Sequence, residues 1–357
     1  MRPEAFPKGK VDLLDLSYDE LAGFAGSIGE PRFRGEQLFQ WLWQKGAADF
    51  SEMTNLSKEL RAGLDEIAFI RRPGLEEIRV SSDGTVKMLL SLAGGALIET
   101  VLIPEKDHYT QCLSSQVGCA MGCTFCRTGQ MGFTRNMSMG EIVSQVTLAR
   151  RYLEEHGESA RIRNLVFMGM GEPLNNTREV IRSLEVLNHD KGPGFSQRRI
   201  TVSTVGVENG LRELGESGLA SLAVSLHAPN QELREKIMPR AARALPLDRL
   251  MTALDRYPLR PRQRITYEYI LLHGINDDVA QARELAGLLG GRKAKVNLIA
   301  FNEGPGIDYE APEHGRVLAF EKVLWDKNVT ATIRKSKGLD IKAACGQLKA
   351  EKIGKEK

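Results

Sequence analysis

The chain has 357 residues, of which 42% are hydrophobic and 27% are charged, and this balance is ordinary for a globular protein. The net charge of +3 is only mildly basic, so it does not by itself indicate nucleic-acid binding, although local arginine clusters permit an RNA substrate. No apolar run approaches the roughly 20 residues that span a bilayer, and the N-terminus lacks a signal-peptide pattern, so we expect a cytoplasmic protein without a membrane segment.

The first 72 residues predict a small helical module. The sequence Ser17-Tyr18-Asp19-Glu20 is a capping box that begins a helix reaching about Gly29. A second helix follows Pro31, and a third covers residues 57–67. We interpret the tryptophans of this module as core residues rather than as platforms on which bases stack. Residues 1–72 are therefore assigned to a small helical accessory module.

A β-hairpin extension follows at residues 73–104. The hydrophobic period changes to two here, and Asp83-Gly84 predicts a tight turn between two strands. A second turn, at Gly94-Gly95, leads into a third strand. The predicted strands cover residues 77–80, 86–92 and 96–103.

From residue 111 onward, predicted strands alternate with predicted helices, which indicates an α/β fold with a parallel sheet and right-handed crossovers. About six strand–helix units, rather than eight, predict an incomplete (β/α)6 barrel over residues 105–348, followed by a charged tail at 349–357. Ligands of such sheets bind at the carboxyl ends of the strands. The predicted strands are 111–117, 164–168, 199–204, 221–226, 264–272, 295–301 and 330–334.

Three cysteines, Cys119, Cys123 and Cys126, stand in a Cys-x3-Cys-x2-Cys array. Three thiolates are one short of the four that close a structural zinc site, so a metal held by them keeps a coordination position free. A four-iron four-sulfur cluster with one bare iron fits this description. The alternative is a zinc-stabilised RNA-binding protein with Cys112 or a histidine as fourth ligand, although the usual zinc spacing, Cys-x2-Cys, occurs only once. The array resembles the signature of the radical S-adenosylmethionine enzymes.

Polar residues recur at the predicted carboxyl ends of the barrel strands. The second strand ends in Gly169-Met170-Gly171-Glu172-Pro173, where glycines allow close approach of a ligand and the carboxylate can receive an ammonium group. The radical S-adenosylmethionine resemblance implies that Gly171 and Glu172 meet the amino group of the cofactor. Further candidates for binding its ribose, carboxylate or adenine are Ser203, Ser225, Leu226, His227 and Asn302. Each of these could instead cap a helix or satisfy a backbone group.

Two cysteines stand outside the array. Cys112 begins the strand that leads to it, and Cys345 lies just beyond the last predicted strand. A lone cysteine is usually a small buried apolar residue, but a flexible polar loop is a poor place for a thiol that only packs. We expect this loop to reach across the mouth of the barrel, where Cys112 could face the same cavity.

Four segments together make a more specific resemblance: 112–119, 169–176, 225–228 and 343–348. They resemble the bacterial family of dual-specificity ribosomal-RNA and transfer-RNA adenine-C2 methyltransferases, and the resemblance extends from the helical module to Leu348. It implies methylation of adenine 2503 in 23S ribosomal RNA and of adenine 37 in transfer RNA. It also implies that the module of residues 1–72 binds RNA. Further implications are one four-iron four-sulfur cluster, an electron donor such as flavodoxin or ferredoxin, and a monomer.

The same resemblance implies a role for every cysteine. Carbon 2 of adenine is electron-poor and does not attack a sulfonium methyl group, so a radical route is needed. One S-adenosylmethionine methylates Cys345 and a second is cleaved at the cluster, so two are used per turnover. A methylene radical on Cys345 then adds to carbon 2, and Glu99 accepts the proton that leaves. Cys112 releases the RNA with a Cys112–Cys345 disulfide, which cellular reductants reopen.

Two features of the sequence leave alternatives open. Because side chains alternate between the two faces of a strand, Glu99 shares its face with apolar side chains, and we expect its carboxylate to lie in apolar surroundings. The alternative is that Glu99 lies at a strand edge, exposed to solvent. Residues 240–245 depart from the pattern expected of relatives, which leaves the RNA contacts of that loop open.

The nearest rival is the sister 23S ribosomal-RNA adenine-C8 methyltransferase, which has the same cysteines and cofactors. The tryptophan-rich helical module favours the C2 enzyme.

Overall fold

A computed structural model describes residues 9–350 of the chain. The first eight residues of the predicted helical module and residues 351–357 of the predicted charged tail lie outside the described residues. Within residues 9–350, no helix is both long and apolar enough to cross a membrane.

The helical module contains the three predicted helices: α1 (Tyr18–Ser27), α2 (Arg32–Phe39) and α3 (Lys58–Ile67). The predicted capping box is confirmed, because the Ser17 hydroxyl accepts the N–H of Glu20 and the Glu20 carboxylate accepts the N–H of Ser17. Helix α2 continues into one π-helical turn. Trp43 in that turn is buried in the core, as expected, whereas Trp41 is only partly buried and packs against the core.

One ten-stranded sheet is the centre of the rest of the fold, and its strands lie side by side in chain order. The antiparallel strands are β1 (Gly74–Val80), β2 (Val86–Ser91) and β3 (Leu97–Pro104). The seven parallel strands are β4 (His108–Cys112), β5 (Arg161–Phe167), β6 (Ile200–Thr204), β7 (Ser221–Ser225), β8 (Ile265–Leu271), β9 (Ala294–Ala300) and β10 (Thr330–Arg334).

Helices occupy the six crossovers between the parallel strands, which confirms the predicted incomplete (β/α)6 barrel. Besides the single α-helical turn Arg127–Gln130, they are α4 (Met139–Glu155), α5 (Thr177–Asn188), α6 (Glu208–Ser217), α7 (Gln231–Ile237), α8 (Pro239–Ala244), α9 (Leu247–Asp255), α10 (Val279–Leu289) and α11 (His314–Asp326). The sequence analysis missed α8, whose first residue is a proline and so has no N–H to leave unpaired.

The hairpin extension is continuous with the barrel. Strand β3 pairs antiparallel with β4, with Val101 opposite Cys112, so the three antiparallel strands widen the barrel sheet at one edge. The tight turn predicted at Asp83-Gly84 is present, and Gly84 has a φ of +83°.

The predicted strand at 111–117 is wrong in one respect, because the chain leaves the main sheet after Cys112. The N–H of Ser114 donates to the side-chain oxygen of Gln145, and the N–H of Ser115 donates to the carbonyl of Met170. A separate two-stranded ladder then pairs Gln116–Gly118 with Phe133–Asn136. Contacts from distant residues thus override the local β pattern.

The helical module packs directly on helix α4. The carboxylate of Asp15 accepts the N–H of Gly140 at 3.0 Å, and Arg182 donates to the carbonyl of Asp15 at 2.6 Å. A Cβ at Gly140 would lie 2.8 Å from the Cβ of Leu14, so only glycine permits this close approach. The module is therefore fixed against the outside of the barrel.

Candidate active site

Three thiols lie on one loop that follows the short ladder strand Gln116–Gly118. Cys119 and Cys123 are buried and Cys126 is half-buried. Burial raises the pKa of Cys119 to about 12, and burial together with the neighbouring thiols of Cys126 and Cys119 raises the pKa of Cys123 well above its ordinary value. The three sulfur atoms are therefore close enough to interact electrostatically.

These thiols provide a soft, sulfur-only donor set, which suits an iron–sulfur cluster held by three cysteines. Binding a metal releases the thiol protons, so the raised pKa values describe the metal-free form. Across residues 9–350, no group of three or more histidine, cysteine, aspartate or glutamate side chains is arranged to hold a single metal ion. Cys119, Cys123 and Cys126 are the residues that would hold the cluster.

The cysteine loop rests on helices α7 and α8. The guanidinium of Arg240 donates to the carbonyl of Ala120 at 2.8 Å, and the N–H of Thr124 donates to the carbonyl of Ile237 at 3.0 Å. The ring of Phe125 packs edge-on against His227, with 4.9 Å between the ring centroids. Residue 240, the first of the segment that departs from the expected pattern, therefore supports the cysteine loop.

The segment after β5 has its predicted close approach but a different carboxylate arrangement. Gly171 has a φ of +105°, and a Cβ there would lie 2.6 Å from the Cβ of Gln116. The carboxylate of Glu172 is buried and accepts hydrogen bonds from the Thr204 hydroxyl and the N–H groups of Val205 and Leu174. The expectation that this carboxylate is open to an ammonium group is wrong, because three internal donors occupy it. The backbone N–H of Glu172 donates to the side-chain oxygen of Gln116, and its carbonyl accepts the N–H of Asn175.

Ser203 and Ser225 lie near the carboxyl ends of neighbouring strands, with their hydroxyl oxygens 3.4 Å apart. Leu226, the next residue, has a fully buried side chain, and its N–H donates to the carbonyl of Glu268 at 3.1 Å. The two serines therefore offer hydroxyl groups to a ligand, whereas Leu226 shapes the backbone beside them.

His227 is held as a neutral imidazole. Its Nδ1 accepts the N–H of Ile270 at 3.0 Å, which leaves the proton on Nε2. Burial, with a smaller contribution from the charge of Arg234, lowers the pKa of His227 to about 3. The residue has a φ of +54°, a left-handed conformation that is uncommon outside glycine and asparagine. His227 can donate one hydrogen bond from Nε2.

The segment that carries Cys345 crosses the mouth of the barrel, as expected from the sequence. Its backbone groups hydrogen-bond to several parts of the barrel. The carbonyl of Cys345 accepts from the Asn302 amide, and the carbonyl of Gly346 accepts the N–H of Arg127. The carbonyl of Leu348 accepts the Thr128 hydroxyl, and the N–H of Lys349 donates to the Glu99 carboxylate. These contacts bring the C-terminal segment to the loop of the three cysteines.

Cys112 and Cys345 lie within electrostatic reach of one another, and all five cysteines are free thiols. Burial raises the pKa of Cys112 strongly, and the Cys345 thiol adds to this effect. Cys345 is exposed to solvent on one side, while desolvation by the protein atoms around it, followed by the charge of Glu268, raises its pKa to about 11. The structure therefore brings together the two cysteines that lie outside the array.

Glu99 is buried, but its surroundings are not those expected. The strand face predicted from the two-residue period is apolar along β3, whereas the neighbouring strand β2 places Lys87 beside the carboxylate, 3.0 Å from Oε1. The expectation of apolar surroundings is wrong, because a period within one strand does not identify the cross-strand neighbours.

Sequence analysis missed two charged residues of this region. Lys87 stands inside the otherwise apolar strand β2, and Glu268 stands inside the fully buried strand β8, where its carboxylate accepts a hydrogen bond from Asn297. Burial raises the pKa of Glu268. Lys87 and Glu268 are each the one charged residue in a strand that is otherwise mostly apolar, and this pattern could have identified both, because charged side chains are rarely buried without a partner.

Comparisons with known proteins cover both parts of the chain. The profile of the "Ribosomal RNA large subunit methyltransferase N-terminal domain" matches residues 11–70, and that of the radical SAM superfamily matches residues 113–286. The "Dual-specificity RNA methyltransferase RlmN" of Nitratidesulfovibrio vulgaris strain Miyazaki F is 62% identical over 350 residues, covering 96% of this chain and 95% of its own length. The protein of the same name from Geobacter sulfurreducens is 48% identical, with coverages of 96% and 92%.

A solved structure agrees with this assignment. The crystal structure of a radical SAM methyltransferase from Sphaerobacter thermophilus superimposes with a TM-score of 0.90 at 42% identity, covering 96% of this chain and all of that one. The resemblance inferred from the four sequence segments is confirmed. Membership of the superfamily implies a four-iron four-sulfur cluster and S-adenosylmethionine. The chain therefore belongs to the RlmN family of dual-specificity RNA methyltransferases, within the radical S-adenosylmethionine superfamily.

Proposed function

We propose that this protein methylates carbon 2 of adenine in RNA, at adenine 2503 of 23S ribosomal RNA and adenine 37 of transfer RNA, with Cys345 as methyl carrier. The observation that carries the proposal is the convergence of Cys345 and Cys112 beside the loop of Cys119, Cys123 and Cys126. A cluster-binding loop alone would suit many substrates, whereas a second pair of thiols suits transfer through a covalent intermediate.

When bound, the cluster and two molecules of S-adenosylmethionine per turnover would supply the methyl group, the hydrogen-abstracting radical and the electron transfers of the reaction. Cys119, Cys123 and Cys126 would hold the cluster. Cofactor contacts would come from Gly171 and Glu172 and from a set of residues at the strand ends: Ser203, Ser225, Leu226, His227 and Asn302.

Cys345 would present its methyl carbon to carbon 2 of adenine and become covalently joined to the RNA through that carbon. Glu99, beside the same C-terminal segment, would accept the proton from carbon 2. Cys112 would then attack the sulfur of Cys345, so that the carbon–sulfur bond breaks, a disulfide forms and the released carbon takes a proton. Reduction of the disulfide by cellular thiols would restore both cysteines.

The remaining parts of the proposal concern the setting of the reaction. The helical module, fixed to α4, would contact folded RNA beyond the target base. The enzyme would act as a monomer in the cytoplasm and receive electrons from a flavodoxin or ferredoxin.

Anaerobic reconstitution with iron and sulfide, followed by incubation with S-adenosylmethionine, a reductant and unmodified RNA, tests the proposal. We expect a brown protein that cleaves the cofactor and produces 2-methyladenosine, measured by mass spectrometry of the RNA nucleosides. A colourless protein without cleavage would reject the radical reaction in favour of a zinc-stabilised RNA-binding protein. Production of 8-methyladenosine alone would replace the C2 assignment by C8.

A further inference from the structure

The carboxylate of Glu99 is held at both of its oxygens. The ammonium group of Lys87 lies 3.0 Å from Oε1, and the N–H of Lys349 donates to Oε2 at 2.9 Å. Both side chains are buried, with 8% of Lys87 and 4% of Glu99 exposed. Two donors on opposite oxygens fix both the position and the direction of this carboxylate.

Lys87 makes a second contact, which reaches the segment that carries Cys345. Its ammonium group donates to the carbonyl of Lys342 at 3.2 Å. The segment 342–349 therefore contacts the Lys87–Glu99 pair at both ends, through the carbonyl of Lys342 and the N–H of Lys349. Cys345 lies between these two anchors, so the positions of the carboxylate and the thiol are linked.

The strand register places the pair on one face of the sheet. Leu89 lies opposite Glu99 and Lys87 lies opposite Val101, so Lys87 and Glu99 are diagonal neighbours across β2 and β3. A cavity of about 130 Å³ opens on this face, between the strands and the C-terminal segment. Although the Glu99 carboxylate is buried, it thus borders a space that an approaching group can enter.

We infer that Lys87 is a positioning residue, which holds the Glu99 carboxylate for proton removal and couples it to the segment that carries Cys345. The inference rests on the proposed function, in which Glu99 accepts the carbon-2 proton after the RNA has joined Cys345. A buried carboxylate that loses its ammonium partner is left uncompensated and is free to turn away from its working direction. Loss of Lys87 therefore affects the step after adduct formation more than adduct formation itself.

A single-turnover experiment with reconstituted enzyme, methylated beforehand on Cys345, separates the two steps. Denaturing electrophoresis follows the covalent RNA–protein adduct, and nucleoside mass spectrometry follows free methylated RNA. For Lys87→Met we expect adduct formation close to the wild-type rate and adduct lifetimes at least about tenfold longer. Lys87→Arg retains a cation with several donors and should recover most of the wild-type release rate.

Two further variants make the result specific. In Lys322→Met the lost ammonium group comes from an exposed ion pair with Asp326, so adduct formation and release should match those of the wild type. The double variant Lys87→Met/Glu99→Gln should release RNA no more slowly than the slower of the two single variants, because both changes act on one group. Thermal unfolding of each variant identifies any loss of the fold.

The outcomes distinguish this inference from the proposed function. A wild-type enzyme that forms neither adduct nor methylated RNA contradicts the proposed function itself. A functional wild type beside a Lys87→Met enzyme that releases RNA at the same rate contradicts only the role of Lys87. A proportional loss of adduct formation and release in Lys87→Met, without recovery in Lys87→Arg, also contradicts it, because this is the result of a purely structural role.

Discussion

The side-chain amide of Asn302 donates a hydrogen bond of 3.3 Å to the backbone carbonyl of Cys345. Asn302 follows β9, and Cys345 lies in the segment beyond β10, so this bond joins the two across the barrel mouth. The residue predicted to contact the cofactor therefore also holds the backbone of the proposed methyl carrier.

Replacing Asn302 by aspartate should loosen this segment, because a carboxylate cannot donate to the Cys345 carbonyl and repels it. Loss of one hydrogen bond of about 1 kcal/mol corresponds to roughly fivefold faster amide hydrogen exchange in the segment 342–349, measured by mass spectrometry. Asn328→Asp makes the same charge change at an exposed position and should leave this exchange unchanged. Equal exchange rates in Asn302→Asp and the wild type would contradict the account.

Cys345→Ala should abolish methyl transfer before any RNA adduct forms, because the variant has no thiol to carry the methyl group. Intact-mass measurement should find no added methyl group on the protein, and nucleoside analysis should find no methylated adenine. Cys112→Ala serves as the matched control, since it removes the neighbouring thiol but should still carry a methyl group on Cys345. Preserved RNA methylation by Cys345→Ala would refute its role as carrier.

Gly171→Ala should destabilise the protein by about 2–4 kcal/mol, because it combines a strained φ with overpacking. The φ of +105° disfavours any side chain, and the new Cβ would lie 2.6 Å from the Cβ of Gln116. Gly63→Ala is the control: this glycine lies in α3 with open space around it, so alanine should stabilise the helix by up to about 1 kcal/mol. The free energies are measured by urea unfolding, and a Gly171→Ala protein as stable as the wild type would contradict the packing described.

His227 should make the wild type lose stability as the pH falls. The folded protein holds His227 neutral down to a pKa of about 3, whereas the unfolded chain protonates it below its ordinary value of 6.5, so protons favour unfolding between these values. His227→Asn tolerates the same φ, and its side-chain oxygen can accept the N–H of Ile270. Between pH 7 and pH 5, the wild type should lose about 2 kcal/mol more unfolding free energy than this variant. Parallel pH profiles for the two proteins would contradict this account.

Local sequence was sufficient to predict much of the fold and the placement of the cysteines. The spacing of Cys119, Cys123 and Cys126 is set by the chain itself, so no tertiary contact was needed to place three thiols on one loop. The alternation of strands and helices likewise predicts the barrel, because each element buries its own apolar face. The position of Cys345 followed from the same topology, since a segment beyond the last strand begins at the barrel's edge.

Contacts between distant residues account for what was mispredicted. Glu172 appeared to be open because its three donors come partly from β6 and the residues after it, more than thirty positions away. Lys87 was missed because it meets Glu99 diagonally across two strands, a relationship that depends on strand register. The predicted strand at 111–117 was too long because the side chain of Gln145 in α4 hydrogen-bonds both backbone groups of Ser114, which are then not available to the main sheet.

The covalent step is tested most directly by incubating reconstituted Cys112→Ala with RNA and S-adenosylmethionine under reducing anaerobic conditions. The account predicts that RNA stays attached to the protein through denaturing electrophoresis, and that digestion yields a nucleotide-modified peptide containing Cys345. The double variant Cys112→Ala/Cys345→Ala should form no such adduct. Free methylated RNA at the wild-type rate, without a trapped adduct, would contradict the proposed exchange between Cys112 and Cys345.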